Sequence, residues 1–413
     1  MQQSSRYRYV VLAAGVMAQA TSGLVLQGLP SIAPQLRSEF GLGLVGIGLV
    51  LASVSVGLLV GLLPWGMLSD RIGERWVMSA GLLGAAGLFA VVAMTIPVGS
   101  TGSPVLLAFL LFLAGACSAS VNAASGRAVL GWFPARQRGT AMGIRQTALP
   151  IGAAAAALTL PALVAGGVRT VFVAMAVVCA AATVVVAVLV RDPQTEDGGR
   201  GLVTASLRDP HIRRLTFVSA ALTVPQFAVV AFLVLYLVEV HGFSGVAAGA
   251  ILAGVQIAGG AARIVVGRLS DRAGSRLRPL VAVATATTAA FGALAATAWL
   301  DSALPVVILL VLAPVAISWN GLAFTAVGEI APAGGVGTAL ALQNTAVALG
   351  SSLTPPALGA VVAHGSWPLA FGIAGASAGA GALLLLPALR SERTLPAPAE
   401  PTPLSVSRGA DPR

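Results

Sequence analysis

The chain has 413 residues, of which 57% are hydrophobic and 9% are charged, and its mean hydropathy is +0.92. Soluble domains carry about a quarter of their residues as charged side chains, so this composition excludes a water-soluble protein and indicates an integral membrane protein. The formal net charge of +10 comes from arginine alone, and it indicates a membrane topology rather than a nucleic-acid partner.

Apolar segments recur along the whole chain, and each is long enough to cross a hydrocarbon core of roughly 30 Å as a helix. Their residues do not alternate between polar and apolar, which excludes the ten-residue strands of a membrane β-barrel. The sequence therefore predicts an all-α integral membrane protein with twelve transmembrane helices, at 9–29, 43–65, 76–97, 104–130, 139–164, 168–190, 214–238, 246–268, 279–299, 304–326, 338–362 and 367–388.

The first span resembles a secretory signal peptide, because Arg6 and Arg8 precede it and Ala18-Gln19-Ala20 imitates a cleavage site. The apolar run continues beyond that point to Leu29, however, and eleven further spans follow. We therefore expect this segment to be retained as the first transmembrane helix.

The arginines are distributed unevenly between the two sides of the predicted bundle. Only Arg37 and Arg169 fall in loops of one side, three arginines lie within spans, and the other nineteen lie on the opposite side. By the positive-inside rule, that arginine-rich side is cytoplasmic and holds both termini of a multi-pass protein of the cell membrane.

The longest polar stretch between spans, 191–213, predicts a cytoplasmic linker between two halves of the chain. It separates an N-terminal six-helix bundle, 1–190, from a C-terminal six-helix bundle, 214–390. The remaining tail, 391–413, is rich in proline, serine and charge, and we expect it to be disordered in the cytoplasm.

One polar decapeptide occurs twice, as GMLSDRIGER beginning at Gly66 and as GRLSDRAGSR beginning at Gly267. Further matches relate spans 4 and 5 to spans 10 and 11, among them Asn122 with Asn320. Two repeats of the same orientation are related by an axis along the membrane normal, and carriers built in this way bind substrate between the repeats near the midplane. The repeat therefore predicts a two-bundle transporter.

The decapeptide resembles the signature loop of the major facilitator superfamily, and the twelve spans and central linker extend the resemblance over the whole chain. The resemblance implies the major facilitator fold and a gating role for the motif. The carboxylates of Asp70 and Asp271 match its acidic position, where they can face the positive end of a neighbouring helix and bind arginine. A plain topogenic turn is the alternative. The candidate gating residues are Gly66, Asp70, Arg71, Gly73 and Arg75, and their counterparts Gly267, Asp271, Arg272, Gly274 and Arg276.

Polar residues within the spans are candidates for a substrate cavity, because they are costly in lipid and tend to face water. The foremost candidate is Arg263, which stands four residues before Gly267 and on about the same helix face as Gln256. Its guanidinium can bind a carboxylate through two parallel hydrogen bonds, and its position is similar to that of the substrate-binding arginine in nitrate and monocarboxylate carriers of the superfamily. Alternatively, Arg263 holds its helix to neighbouring backbone carbonyls.

The other candidate substrate-binding residues lie on spans 4, 5, 8, 10 and 11: Arg145, Arg127, Asn122, Gln146, Gln256, Asn320 and Asn344. Two alternatives apply to this group. Arg127 lies near the inner end of span 4, where arginines often belong to the gate. The amides can also serve as hydrogen bonds between helices rather than as ligands.

All 14 acidic residues lie at span ends, in loops or in tails, so we expect no carboxylate within the spans to neutralise the three span arginines. That balance favours a small organic anion, such as a carboxylate, as the transported solute. It also leaves few proton carriers. Glu239, at the outer end of span 7, is the candidate for proton coupling, and exchange against a counter-anion is the alternative.

The alternative function is a proton-coupled multidrug efflux antiporter. Span 5, however, has Leu149-Pro150 and Gly152-Ala153 where the antiporter signature has Gly-Pro and Gly-Gly. The glycine-rich helix signature of the nitrate carriers is also missing.

A membrane enzyme would need a metal cluster, a nucleophile with its base or paired acids, and none occurs at a suitable spacing, so we expect no enzyme, cofactor or metal. The expected partners are a small-molecule substrate, membrane lipid and a coupling proton or counter-anion; we expect a monomer and no nucleic acid.

Overall fold

The protein is an all-α membrane protein, as predicted. A computed structural model describes residues 2–95, 103–191, 200–300, 302–332, 334–364 and 366–394. No β-strand occurs in these ranges, and twelve helical stretches within them are long and apolar enough to cross a membrane. The helices are α1 (Gln2–Gln27), α2 (Ala33–Glu39), α3 (Leu44–Ile72), α4 (Glu74–Thr95), α5 (Pro104–Trp132), α6 (Ala135–Leu163), α7 (Val168–Leu189), α8 (Arg200–Arg208), α9 (Pro210–Glu239), α10 (Gly245–Ala273), α11 (Leu277–Thr297), α12 (Leu304–Ala316), α13 (Asn320–Ile330), α14 (Val336–Ala363) and α15 (Trp367–Thr394).

The repeated decapeptide is mostly helix rather than loop, which differs from the predicted boundaries. Helix α3 continues through the motif to Ile72, and α10 continues through the second copy to Ala273. The turns fall on Gly73 and Gly274, whose φ angles are +87° and +61°. Glycine adopts these positive φ values without a Cβ clash, so the chain can reverse within very few residues.

The tenth span is not the continuous helix that the apolar run predicted. Helix α12 ends at Ala316 and α13 begins at Asn320, which leaves residues 317–319 outside both helices. Pro314 lies in the last turn of α12 and has no N–H to donate to the preceding turn. Such a break is tolerated at membrane depth only where other groups satisfy the exposed backbone.

We call the side of the bundle at which α3 and α10 end the motif side, and the other side the distal side. The helices before residue 190 and those after residue 210 meet closely at two equivalent glycine crossings on the motif side. A methyl group at Gly66 would overlap the Cβ of Ala341 and lie 2.7 Å from the carbonyl oxygen of Gly337. A methyl group at Gly267 would overlap the carbonyl oxygen of Gly139. Backbones therefore touch between α3 and α14 and between α10 and α6.

The predicted linker and tail are both partly helical. Within 191–213, residues 200–208 form α8, whose Ser206 hydroxyl donates a hydrogen bond of 3.0 Å to the carbonyl of Gly335. Helix α15 extends to Thr394, four residues into the predicted tail, and the rest of that tail lies outside the described residues. The assignment of 1–190 and 214–390 as two bundles remains a prediction.

Candidate functional site

The first contact between the halves involves Asp70, near the end of α3. Its carboxylate accepts hydrogen bonds of 2.7 Å from the backbone N–H groups of Gly337 and Thr338 and from the Thr338 hydroxyl. These donors belong to the first turn of α14, where the helix leaves N–H groups without intrahelical partners and carries a partial positive charge. We call this contact the first latch.

The second copy of the motif makes the equivalent contact. The carboxylate of Asp271 accepts hydrogen bonds from the backbone N–H of Gly139 at 2.9 Å, the backbone N–H of Thr140 at 2.8 Å and the Thr140 hydroxyl at 2.6 Å. These donors lie near the start of α6. We call this contact the second latch. Each half thus provides one carboxylate and receives the other at a helix N-terminus, which is the contact expected for both acidic positions.

The arginine at the first latch is Arg127, which lies on α5 and not in the motif itself. Arg127 Nε lies 3.6 Å from Asp70 Oδ1 and 3.4 Å from Glu74 Oε1, and Arg127 also donates to the carbonyl of Ser69. Both carboxylates lie between the predicted spans 43–65 and 76–97, so Arg127 is neutralised from outside the spans, next to the motif. The physical reason is that α3 extends through the motif and carries Asp70 onto the end of α5.

The second latch uses Arg276 of the motif itself. Its guanidinium lies 2.6 Å from Asp271 and 3.0 Å from Glu329, and it donates to the carbonyl of Ala135. Burial favours the neutral form of Arg276, but the hydrogen bonds and charges of Glu329 and Asp271 outweigh it and raise the pKa above its usual value. Arg276 is therefore charged at neutral pH.

The other motif arginines are Arg71, Arg75 and Arg272. The Arg71 and Arg272 side chains are exposed on the motif side. The Arg75 guanidinium lies 5.4 Å from the centre of the Trp76 ring. These positions suit contact with the membrane surface.

Arg145, on α6, is enclosed within the first half. Its side chain is 1% exposed, and its five N–H donors all have acceptors. Nε donates to the Ser125 hydroxyl, Nη1 to the Gln146 side chain and the Met142 sulfur, and Nη2 to the Gln19 side chain and the Asn122 carbonyl. A guanidinium bonded in this way has no N–H left for a ligand unless the network rearranges.

Asn122 belongs to the same network. Its Oδ1 accepts a hydrogen bond of 2.8 Å from Gln19, and its Nδ2 donates to Ser22 at 3.4 Å. Gln19 is thus central to the site, although sequence reasoning did not select it. The signal was present, because Gln19 is an amide within the apolar first span.

Arg263, on α10, lies at the boundary between the halves. Its Nε donates to the carbonyl of Ile317 at 2.9 Å, and its Nη1 donates to the carbonyl of Gln146 at 2.8 Å. Nη2 donates to none of the described residues. Arg263 stands ten residues before Ala273, about 15 Å along the helix from its motif-side end. Its N–H donors at Nη2 are therefore available in the interior of the membrane.

The two interior arginines share one neighbour, Gln146, whose side chain binds Arg145 and whose carbonyl binds Arg263. Among the described residues, no carboxylate lies within 4 Å of either guanidinium. For Arg145 and Arg263 this agrees with the expectation from the sequence. The interior around Gln146 therefore carries two positive charges with neutral partners only.

Several polar atoms of the second half are buried without a hydrogen-bond partner in the described part of the chain. Trp319 Nε1 and Asn320 Oδ1 lie at the break between α12 and α13, and Gln343 Oε1 lies on α14. Gln343 is at the position equivalent to Arg145, and its Nε2 donates to the Ser219 hydroxyl at 2.7 Å. Such atoms indicate a place where water or a ligand completes the hydrogen bonding.

The other predicted residues are more loosely placed. Gln256 and Asn344 are half-buried, and Asn344 donates to the carbonyl of Leu340 in its own helix. Glu239 is the last residue of α9, and it is exposed at the distal end of that helix. Arg263 and Gln146 are therefore in contact, whereas Glu239 is remote from both.

The model of the Major Facilitator Superfamily matches residues 15–355 of this sequence. The chain belongs to the Major Facilitator Superfamily. It is accordingly a secondary transporter of the membrane, and members of this superfamily carry small-molecule substrates, as the sequence predicted.

Relatives of the chain include transporters with and without a named solute. An uncharacterized MFS-type transporter of Mycobacterium tuberculosis, Rv2994, is 35% identical over 89% of this chain and 82% of its own. The probable nitrate/nitrite transporter NarK2 of the same species is 31% identical over 76% of this chain and 78% of its own. The probable galactarate/D-glucarate transporter GudP of Escherichia coli is 32% identical over 28% of this chain and 25% of its own.

The fold is also similar to that of solved transporters. The major facilitator transporter FucP, in its outward conformation, superposes with a TM-score of 0.73 at 17% identity and covers 92% of this chain and 99% of its own. This likeness shows that the arrangement of the twelve spans is that of the superfamily.

Proposed function

We propose that this transporter carries a small organic anion, most simply a carboxylate, and that Arg263 is its principal ligand. The observation that carries the proposal is the Nη2 group of Arg263. It belongs to a guanidinium that is 7% exposed, lies between the halves and has no carboxylate partner in the described chain. A carboxylate bound there would receive a charge-assisted hydrogen bond.

The electrostatics of the interior support an anion over a cation. Arg145 and Arg263 both have neutral partners only, and Gln146 brings them to the same region. An uncompensated guanidinium costs several kcal/mol in a membrane interior unless water or a counter-ion satisfies it. A transported anion lowers this cost while it is bound, whereas a transported cation raises it. Arg145 attracts the anion mainly through its positive charge and not through hydrogen bonds, because its N–H groups are occupied.

The polar groups of the second half extend the proposed site. The N–H of Trp319 and the Oδ1 atom of Asn320 have no hydrogen-bond partner among the described residues, and both are close in sequence to the Ile317 carbonyl that binds Arg263. Broken helices of this kind line the substrate sites of many carriers, since their free ends provide dipoles for a ligand. Gln146, Gln256 and Asn344 add amides suited to hydroxyl or carboxylate groups.

The names of two relatives are consistent with an anionic solute. NarK2 is named for nitrate and nitrite, and GudP for two sugar diacids, so both names denote anions. The missing glycine-rich signature of the nitrate carriers favours an organic anion for this chain.

For the transport cycle we propose alternating access between the bundles 1–190 and 214–390. The two latches and both glycine crossings join the halves on the motif side. The hydrogen bonds described between the halves extend from that side no farther than Arg263 and Gln146. This arrangement corresponds to a carrier that is closed on the motif side, and Asp70 and Asp271 are its gating carboxylates. The nineteen arginines of that side support a cytoplasmic location for it.

The coupling of transport is a separate proposal. Glu239 is the assigned proton carrier, and exchange of one anion for another is the alternative. Replacement of Glu239 by Gln removes its titration. Uptake driven by a pH gradient should then collapse if Glu239 carries the coupling proton, whereas counterflow between two anion pools should persist.

The cargo proposal is tested with the purified protein in liposomes. Labelled nitrate, monocarboxylates, galactarate and a cationic dye are compared for uptake by the native chain and by Arg263→Lys and Arg263→Gln. The matched control is Arg169→Gln, because Arg169 is an exposed arginine at the distal end of α7, in its first turn.

Lysine keeps the charge but loses the planar fork, so Arg263→Lys should raise the dissociation constant of the carried anion by about tenfold or more, and Arg263→Gln should raise it further. Arg169→Gln should change nothing. Normal anion transport by both Arg263 variants, or transport of the dye in preference to every anion, would show that the cargo assignment is wrong.

A further inference from the structure

The acceptor of the Arg263 Nη1 hydrogen bond is an unusual carbonyl. It belongs to Gln146, which stands four residues before Pro150 in α6. In a regular helix, the carbonyl of residue 146 accepts from the N–H of residue 150, and proline has no N–H. Pro150 therefore leaves the Gln146 carbonyl without its helical donor, and Arg263 of the other half occupies that position.

The second acceptor of Arg263 has a similar origin. The carbonyl of Ile317 directly follows the end of α12, at the break in the tenth span. Carbonyls at a helix end lack intrahelical donors. Both hydrogen bonds of Arg263 thus go to backbone oxygens that a helix irregularity has released. One irregularity is in its own half, and the other is across the boundary in the first half.

The bond to Gln146 also connects the halves at the level of the proposed cargo. The surrounding backbones are close, because a methyl group at Gly143 would lie 2.6 Å from the carbonyl oxygen of Arg263. Separation of α6 from α10 during opening of the motif side must therefore break the bond between Arg263 and Gln146. The free Nη2 group belongs to the same guanidinium, so movement of that guanidinium toward a bound anion would lengthen its hydrogen bond to this carbonyl.

We propose that Pro150 is a positioning residue for Arg263. By releasing the Gln146 carbonyl, Pro150 makes Arg263 part of the closure between the halves, in addition to the two latches. An anion that draws the guanidinium toward itself weakens this closure, so that binding of the cargo favours opening of the motif side. The coupling to cargo rests on the proposed function. The contact between the halves, and the role of Pro150 in it, do not.

The primary test is Pro150→Ala, which restores an N–H at position 150. This N–H competes with Arg263 for the Gln146 carbonyl, and the proline ring that crowds that oxygen is removed. The matched control is Pro161→Ala, since Pro161 is an exposed proline in the same helix. Fluorescent labels at the exposed residues Gln137 and Arg278 report the distance between the halves on the motif side, after both native cysteines have been replaced by alanine.

In the absence of any solute, Pro150→Ala should shift the ratio of closed to open molecules toward the open state by about three- to tenfold. The carbonyl has two lone pairs and can keep part of its bond to Arg263, so the shift is smaller than for loss of a whole charged hydrogen bond. Pro161→Ala should leave the ratio unchanged. Pro150→Gly supplies the same N–H with a lower helix propensity and should shift the ratio in the same direction.

A double-mutant cycle separates this role from a general effect of proline on the helix. In an Arg263→Gln background, the donor is already lost, and Pro150→Ala should then change the closed-to-open ratio by less than twofold. An equal shift in the native and Arg263→Gln backgrounds would overturn the proposal, because Pro150 would then act independently of Arg263.

A second measurement addresses the coupling to cargo. With the anion that the liposome assay identifies, Pro150→Ala should raise KM several-fold while the maximal rate changes less than twofold, and Pro161→Ala should alter neither. If no anion is carried, the proposed function fails, whereas the distance measurement without solute still decides the role of Pro150. If an anion is carried but the cycle is additive, only the Pro150 inference fails.

Discussion

Replacement of Asp70 by asparagine tests the first latch with the smallest possible change of shape. The Asp70 carboxylate accepts three hydrogen bonds of 2.7 Å from the first turn of α14, and the residue is 6% exposed. Asparagine keeps a single acceptor oxygen, and its amide nitrogen faces a donor. At least one of the three hydrogen bonds is therefore lost. The other two become hydrogen bonds to a neutral acceptor.

The magnitude follows from these three bonds. Hydrogen bonds to charged groups contribute about 1.5–3 kcal/mol and neutral ones about 0.5–1.5 kcal/mol, so two bonds weaken by about 1 kcal/mol each and the third is lost. The interaction of the carboxylate with the helix dipole is lost as well. Together these losses should destabilise the closed state by about 4 kcal/mol, which corresponds to roughly a 1000-fold change in the closed-to-open ratio.

The measurement is single-molecule fluorescence transfer between labels at Gln137 and Arg278 in nanodiscs. The matched control is Asp209→Asn, because Asp209 also accepts two backbone N–H bonds at a helix N-terminus, but within its own helix α9. Asparagine caps a helix as well as aspartate does, so this control should leave the ratio unchanged.

Transport by Asp70→Asn should slow, while the affinity for the carried solute stays within a few-fold, since Asp70 binds a helix end and not the cargo. Two results would refute the reasoning. One is an unchanged closed population, which would mean that the carboxylate does not hold the halves together. The other is a large loss of equilibrium binding with normal turnover, which would place Asp70 in the substrate site.

The remaining predictions concern packing, the interior network and the motion of the halves. Gly66→Ala should disfavour closure of the motif side, because its methyl group would overlap Ala341. Gly249→Ala should not, because no atom lies within 4 Å of the added methyl group. Protection of cysteines introduced on the motif side from alkylation measures the difference. Arg145→Gln should lower the free energy of unfolding by several kcal/mol, because it removes the guanidinium whose five donors connect a buried network. An unchanged melting temperature would contradict this structural role. Cysteine pairs across the two halves should crosslink in a solute-dependent way, and identical crosslinking with and without every carried solute would exclude the rocking motion.

The sequence was sufficient for the fold because the determinants of a membrane helix are local. Each apolar run must satisfy its own backbone hydrogen bonds in lipid, so length and composition determine the number and order of the spans. The motif repeat was also sufficient to predict that Asp70 and Asp271 contact helix ends. Asp70 and Asp271 occupy equivalent positions of two repeats, and a symmetric arrangement brings each to the equivalent helix end in the other half.

Only the tertiary structure decided how each interior arginine is satisfied. Arg127, Arg145 and Arg263 are all single charged residues in apolar spans, yet one pairs with carboxylates, one is saturated by neutral acceptors and one keeps a donor group with no partner among the described residues. Their partners are 54 to 126 residues away in sequence for the contacts with Ser69, Gln19, Ile317 and Gln146. Backbone carbonyls outside their own helix bind all three of these arginines, and every residue type has a carbonyl. No sequence pattern can therefore mark which one is free, except where a proline such as Pro150 removes the helical donor.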